Sequence, residues 1–176
     1  MSWLRQNWAA LIIPAGVLVI ALAGYSLFAP PNVQGGPATT FSRPVMAGPG
    51  SVQGDRISLE SYAGQVLILD FWASWCPPCR DSIPILNRID TLEGVNVVGV
   101  NTESLGAEEL RTAHADFRAA FPTIQDASGE LSDAYRVTQL PTSVIIAPSG
   151  DVARIDIGVP NESELQAFVE ELAAGH

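Results

Sequence analysis

The chain has 176 residues, 47% of them hydrophobic, and carries 19 aspartates and glutamates against nine basic residues, for a net charge of −10. Its length supports one domain with a sizeable core plus a further segment. Every acidic residue lies beyond Phe41, so nucleic acid and anionic head groups are poor partners for that domain. Only two cysteines occur, Cys76 and Cys79 in "WCPPCR", and three readings of such a pair are open: a staple, half a metal site, or a redox centre.

No charged side chain occurs from Gln6 to Ser42, and the stretch Trp8 to Phe28 is almost wholly apolar. At about 1.5 Å per residue its length approaches the roughly 30 Å of a hydrocarbon core, so it can span a bilayer. A cleaved signal peptide competes, with Ala21-Leu22-Ala23 as its small-x-small site. The apolar run continues past that site through Tyr25, Leu27 and Phe28, and Trp3 and Trp8 suit an interface, so residues 1–29 are expected to form a retained anchor. Arg5 and the amino terminus supply the positive charge before the span, which leaves the remainder outside the cytoplasm. Residues 30–40 are rich in Pro and Gly and read as a linker, so the folded domain is expected over 41–176.

Within it, Gln65 to Phe71 is a short continuous apolar run, the pattern of a strand buried on both faces. Ile85, Leu86, Ile89 and Leu92 recur at helical spacing just after the cysteines, with Gly94 as a stop, and Val95 to Asn101 forms a second buried strand. Leu110, Ala113, Phe117 and Phe121 share one face of a second helix, and His114 at its edge reads as a partly buried helix residue. A short helix over Glu130 to Val137 precedes the strands "TSVIIAP" and "DVARIDIG", which join at Pro148-Ser149-Gly150. Asn161 followed by Glu164 opens a final helix with Leu165, Phe168, Val169 and Leu172 as its apolar stripe. The pattern is α/β, a mixed sheet with helices on both faces.

A redox pair needs one cysteine with a lowered pKa and some exposure, and a second within reach to resolve a mixed disulfide. Cys76 stands where a buried strand gives way to a helix, whose N-terminal amides and dipole favour a thiolate. One helical turn brings Cys79 beneath it, and Pro77 and Pro78 stiffen the first turn at little cost. A staple gains little from closing so short a loop, and a zinc site lacks ligands, since His114 and His176 lie far along the chain. No metal or other cofactor is expected beyond the Cys76/Cys79 pair itself.

The segment "DFWASWCPPCR" resembles the active-site segment of thioredoxins: Asp70 six residues before the first cysteine, Trp72 and Trp75, Arg80 after the pair, and Pro84 five beyond Cys79. "VTQLPTSVII" is similar to the segment that carries the family's cis-proline, which matches Pro141, with Leu140 beside it. Within the superfamily the chain looks like the membrane-anchored TlpA/ResA type of thiol-disulfide oxidoreductase, because the interval from Cys79 to Pro141 leaves room for the extra helix and strand of that group.

The resemblance implies a thioredoxin-like fold with Cys76 as nucleophile, Cys79 as resolving thiol and Asp70 as a buried proton acceptor. Glu103 in "VNTES" resembles an active-site glutamate of ResA-type proteins. Trp75, Pro77, Pro78, Leu140, Pro141 and Thr142 are the expected client-binding residues, with Trp75 exposed and the backbone near Leu140 and Thr142 pairing with an extended client. The expected function is reduction of client disulfides on the periplasmic side of a bacterial inner membrane, in cytochrome c maturation or copper-oxidase assembly. The implied partners are apocytochrome c or oxidase assembly proteins, a membrane thiol electron donor, and lipid through the N-terminal helix. The CcmG-like group shows an acidic residue after its cis-proline, where this chain has Thr142. A periplasmic thiol oxidase and a non-enzymatic copper carrier are the alternative readings.

Overall fold

The computed structural model describes residues 34–48 and 55–175. The expected membrane anchor, 1–29, and the first four residues of the expected linker, 30–33, lie outside the described residues. Among the described residues no helix is long and apolar enough to cross a membrane.

The centre of the fold is β3 (Val66–Trp72), buried along its whole length. It pairs in parallel with β4 (Val95–Asn101), which pairs in parallel with the short β5 (Thr123–Gln125). On its other side β3 runs antiparallel to β6 (Thr142–Ile146), followed by β7 (Val152–Ile157). The sheet order is therefore β5-β4-β3-β6-β7, the mixed sheet read from the sequence. Strands β1 (Ser42–Pro44) and β2 (Arg56–Ser58) form a separate antiparallel pair. The helices are α1 (Cys79–Ile89), α2 (Ala107–Phe117), the one-turn α3 (Glu130–Ala134) and α4 (Glu162–Ala174). Asn161 caps α4 by accepting a hydrogen bond from the Glu164 amide at 3.2 Å.

Alternation along the strands divides the core in two. On one face Val66, Ile68 and Trp72 of β3 meet Val95 and Val97 of β4, Ile83, Leu86 and Ile89 of α1, and Leu165 and Val169 of α4. On the other, Leu67, Leu69 and Phe71 pack with Val98, Val100, Phe41, Leu131 and Tyr135. Each fully buried aliphatic or aromatic side chain contributes about 1.5–3 kcal/mol, so both layers are needed for stability. The long helices α1 and α4 thus share one face. The opposite face carries α3 and the 3-10 turn Leu59–Tyr62, with the N-terminal stretch and the β1–β2 pair completing its cover.

That N-terminal stretch departs from the expected boundaries. Gly35 N donates to Val152 O at 2.7 Å, Val152 N to Gly36 O at 2.8 Å, and Ala38 N to Gly150 O at 2.9 Å. Thr39 N donates to the Tyr135 hydroxyl at 3.0 Å, and Ala38 and Phe41 are buried. Further on, Met46 N donates to Thr123 O at 2.8 Å and Thr123 N to Ala47 O at 2.7 Å. Residues 35–40 are therefore part of the fold and not a linker. Their Pro and Gly suit an edge pairing, where a missing N–H leaves no ladder bond unmade.

Candidate active site

The site is built where β3 ends and α1 begins. The chain turns after Trp72, with Cys76 N donating to Ala73 O at 3.1 Å, and Pro78 takes the N-cap of α1 at φ −66°. Cys76 and Cys79 are joined in a disulfide, their Cα atoms 5.4 Å apart. Cys76 retains 3% exposure and Cys79 none. The Cys79 amide, at the start of α1, lies 3.3 Å from Cys76 Sγ and donates to it. The same amide is shared with Cys76 O at 3.2 Å, and a helix N-terminal N–H aimed at a sulfur favours that sulfur as a thiolate once the bond is reduced.

Asp70 projects from β3 on the same face as Trp72, the face that packs on α1. It is fully buried; Ser143 Oγ donates to its Oδ1 at 3.1 Å, and Oδ2 has no partner among the described residues. Its strand partners are Gly99 on β4 and Ser143 on β6, neither of them charged. Burial pushes its pKa up to about 7, and the Ser143 hydrogen bond opposes that only in part. A carboxyl that titrates near neutrality can take and return a proton at physiological pH.

Glu103, just past the end of β4, folds back onto the turn before Cys76. Its Oε2 accepts from Ser74 N at 2.5 Å and its Oε1 from Ser74 Oγ at 2.9 Å. Asn101 Nδ2 adds a contact to Oε2 at 3.3 Å, while Asn101 Oδ1 accepts from Glu103 N at 3.1 Å. Glu103 thus joins the site through the turn that precedes Cys76.

The Leu140–Pro141 peptide is cis. Pro141 is buried, and its carbonyl accepts from Gly158 N at 2.8 Å. Thr142 sits between Phe71 and Ile157 in the sheet, with a buried side chain whose hydroxyl donates to Gln139 O at 2.8 Å. Leu140 is half-buried and packs against both core layers. Trp75 is 67% exposed, Pro77 and Pro78 are exposed, and Trp72 is buried edge-on to Phe117 with ring centroids 5.1 Å apart. Ile157 and Val159, the other large apolar side chains exposed among the described residues, flank Gly158 at the same end of the sheet.

Sequence reasoning missed Ser74, Asn101 and Ser143, which hold Glu103 and Asp70. Only strand register could have found Ser143, since it pairs with Asp70 directly. His114 is buried, its Nε2 3.0 Å from Phe121 O, in the structural place expected for it. Among the described residues no group of three or more His, Cys, Asp or Glu could hold a metal ion.

Residues 35–155 match the family model described as AhpC/TSA family. The chain belongs to the AhpC/TSA family. Within that thioredoxin-like family it is 30% identical over 126 residues to the sporulation thiol-disulfide oxidoreductase A of Bacillus subtilis, covering 69% of this chain and 76% of that one. It is also 30% identical over 127 residues to the thiol-disulfide oxidoreductase ResA of Bacillus subtilis, covering 69% of each. Among solved structures, StoA from Bacillus subtilis superposes with a TM-score of 0.61 at 26% identity, over 74% of this chain and 96% of that one. The thioredoxin-like fold and the ResA-type kinship read from the sequence both stand. The Cys76–Cys79 disulfide within this family makes the chain a thiol-disulfide oxidoreductase.

Proposed function

We propose that this AhpC/TSA-family chain reduces disulfides in client proteins outside the cytoplasm of a bacterium, held to the inner membrane by residues 1–29. The observation that carries the redox reading is the Cys76–Cys79 pair at the start of α1, with Cys76 the sulfur that retains exposure and receives the helix amide. In the proposed cycle the Cys76 thiolate attacks a client disulfide, forming a mixed disulfide and expelling one client thiolate. Asp70 accepts the Cys79 proton, and the Cys79 thiolate then attacks Cys76 Sγ. The second client thiolate leaves with the electron pair, so the client gains two electrons and this chain is left as the Cys76–Cys79 disulfide. A membrane dithiol donor returns the two electrons.

Trp75, Pro77 and Pro78 supply the exposed rim on which a client lies, with the extended client pairing beside Leu140 and Pro141. Thr142 serves this surface from within, through its bond to Gln139 O. The clients proposed are apocytochrome c or copper-oxidase assembly proteins, following the resemblance to the anchored TlpA/ResA type.

The deciding experiment is the midpoint potential of the Cys76/Cys79 couple, found by thiol alkylation after equilibration in redox buffers. A value near or below about −270 mV supports a reductase; one near about −120 mV overturns the direction and makes the chain an oxidase. Membrane fractionation tests the anchor: a chain released by alkaline carbonate refutes it.

A further inference from the structure

We propose that Ser143 is a positioning residue for the proton step: its hydroxyl holds one oxygen of Asp70 and so sets the pH at which that carboxyl takes the proton of Cys79. This rests on Asp70 being the acceptor in the proposed cycle. Residues directly opposite one another on neighbouring strands point to the same face. Register therefore lines up Asp156 of β7, Ser143 of β6, Asp70 of β3, Gly99 of β4 and Thr123 of β5 as one row across the sheet. Asp70 has a hydroxyl for a neighbour on one side and, on the other, a glycine with no side chain to offer. Ser143 Oγ donates to Asp70 Oδ1 at 3.1 Å, and both residues are fully buried. Since Oδ2 has no partner among the described residues, that single bond is what favours the charged form of the carboxyl.

Ser143 itself stands between two carboxyls, and Arg154 decides which of them receives its proton. The guanidinium donates to Asp156 Oδ2 from Nε at 3.0 Å and from Nη2 at 2.7 Å, and lies over the Phe168 ring at 4.1 Å. Asp156 is thereby served, and the Ser143 hydroxyl is left to Asp70. The other charged groups of the elements around the row are turned elsewhere. Arg80 of α1 lies over the Phe117 ring at 4.7 Å, Asp81 is exposed, and the glutamates of α4 are exposed or, at Glu162, paired with Arg88. His114 of α2 turns its Nε2 to Phe121 O at 3.0 Å, and Glu103 is taken up by Ser74. That leaves the two cysteines, once reduced, as the titratable groups on this face that answer to Asp70.

A donated hydrogen bond favours an ionised carboxyl over the neutral acid, so the Ser143 bond lowers the pH at which Asp70 releases its proton. Without it, burial would keep Asp70 protonated further above neutrality, and a protonated Asp70 cannot receive the Cys79 proton. Attack by Cys76 needs nothing from Asp70. Ser143 therefore acts on the second step of the cycle alone.

The test uses the full-length chain in mild detergent. Carboxyl-carbon NMR, with the Asp70 signal assigned by its loss in Asp70→Asn, follows the titration of the oxidised protein. Ser143→Val is expected to move that titration up by about one unit, whereas Ser143→Thr, which has the same shape and keeps the hydroxyl, stays within about 0.3 units of the parent. Ser143→Ala adds no bulk and should match Ser143→Val, so the comparison holds even if the larger side chains disturb folding. Stopped-flow mixing of the reduced chain with dithionitrobenzoate then separates the two steps. Cys76 attacks the reagent and expels one thionitrobenzoate; Cys79 attacks Cys76 Sγ and expels the second, so the two electrons lost by the chain as its disulfide closes leave on the two aromatic thiolates. In Ser143→Val the second release should slow about fivefold at pH 7, which is the fall in ionised Asp70 when a midpoint of about 7 rises by about one unit, and the first release should be unchanged. Equal titrations in Ser143→Val and Ser143→Thr overturn the proposal, as does an equal slowing of both releases, which marks a general loss of packing. A titration that moves as expected while the second release does not follow would sink the acceptor role of Asp70 in the proposed cycle and leave the hold of Ser143 on that carboxyl standing.

Discussion

Replacing Asp70 by asparagine isolates the cost of keeping a carboxyl in the core beneath the disulfide. Burial raises its pKa to about 7, from about 3.9 for an ordinary aspartate, a difference of roughly three units worth about 4 kcal/mol at about 1.4 kcal/mol per unit. The sign follows from proton binding. Between about pH 4 and 7 the folded chain keeps a proton on Asp70 that the unfolded chain has released, so stability falls as pH rises through that window. Above it the whole penalty applies. Asparagine carries no such charge and can still accept from Ser143 through its amide oxygen. The stability gained by D70N is therefore expected to grow from below about 1 kcal/mol at pH 4 to about 4 kcal/mol at pH 8. Guanidinium unfolding of the oxidised chain in mild detergent at pH 4, 6 and 8, parent against D70N, measures it. A difference that is flat or shrinking with pH would refute the account. The same substitution removes the proton acceptor proposed for Cys79, so the more stable variant should turn over client disulfides more slowly.

Cys79→Ser should leave a Cys76 that attacks but cannot resolve, so mixed disulfides with clients accumulate on non-reducing gels; Cys76→Ser should trap none. Equal trapping by both variants would reverse the assignment of the two sulfurs. Gly99→Ala places a methyl 2.5 Å from Thr123 Oγ1, 3.0 Å from Trp72 Nε1 and 3.3 Å from Phe121, all in the packed layer beside Asp70. It should cost about 1–3 kcal/mol in chemical denaturation, as overpacking does, and an unchanged midpoint would mean that the layer is looser than the distances imply.

How much could be read from the residues depended on how local the cause was. The strands β3 and β4 declared themselves because each is a continuous apolar run buried on both faces. Asn161 announced α4 through a cap that acts over three residues. By contrast β5 spans only Thr123 to Gln125, too short for any period, and becomes a strand through its pairing with Gly99 to Asn101. The stretch 35–40 has linker composition, and its partners Gly150 and Val152 lie more than a hundred positions on. At the site, the residue types needed for thiol chemistry were visible in "WCPPC", and the burial of Asp70 followed from its place in an apolar run. What Glu103 grips was not visible, because Ser74 is 29 positions away and the contact exists only once β4 lies beside β3. The burial of the Thr142 side chain and its bond to Gln139 O were likewise not visible, because they depend on its place between β3 and β7 in the sheet.

The crossing N-terminal stretch has a consequence for how the protein avoids its own kind. Residues 35–37 lie along the start of β7 and residues 46–47 along β5, so one short length of chain covers backbone at both margins of the sheet. Bare margins invite edge-to-edge association. The ribosome makes this covering first and its seats on Thr123 and Val152 much later, so the margins stay open until β7 has emerged. Self-association of the finished fold is therefore held off by the oldest part of the folded chain, which acts only once its late-made seats exist.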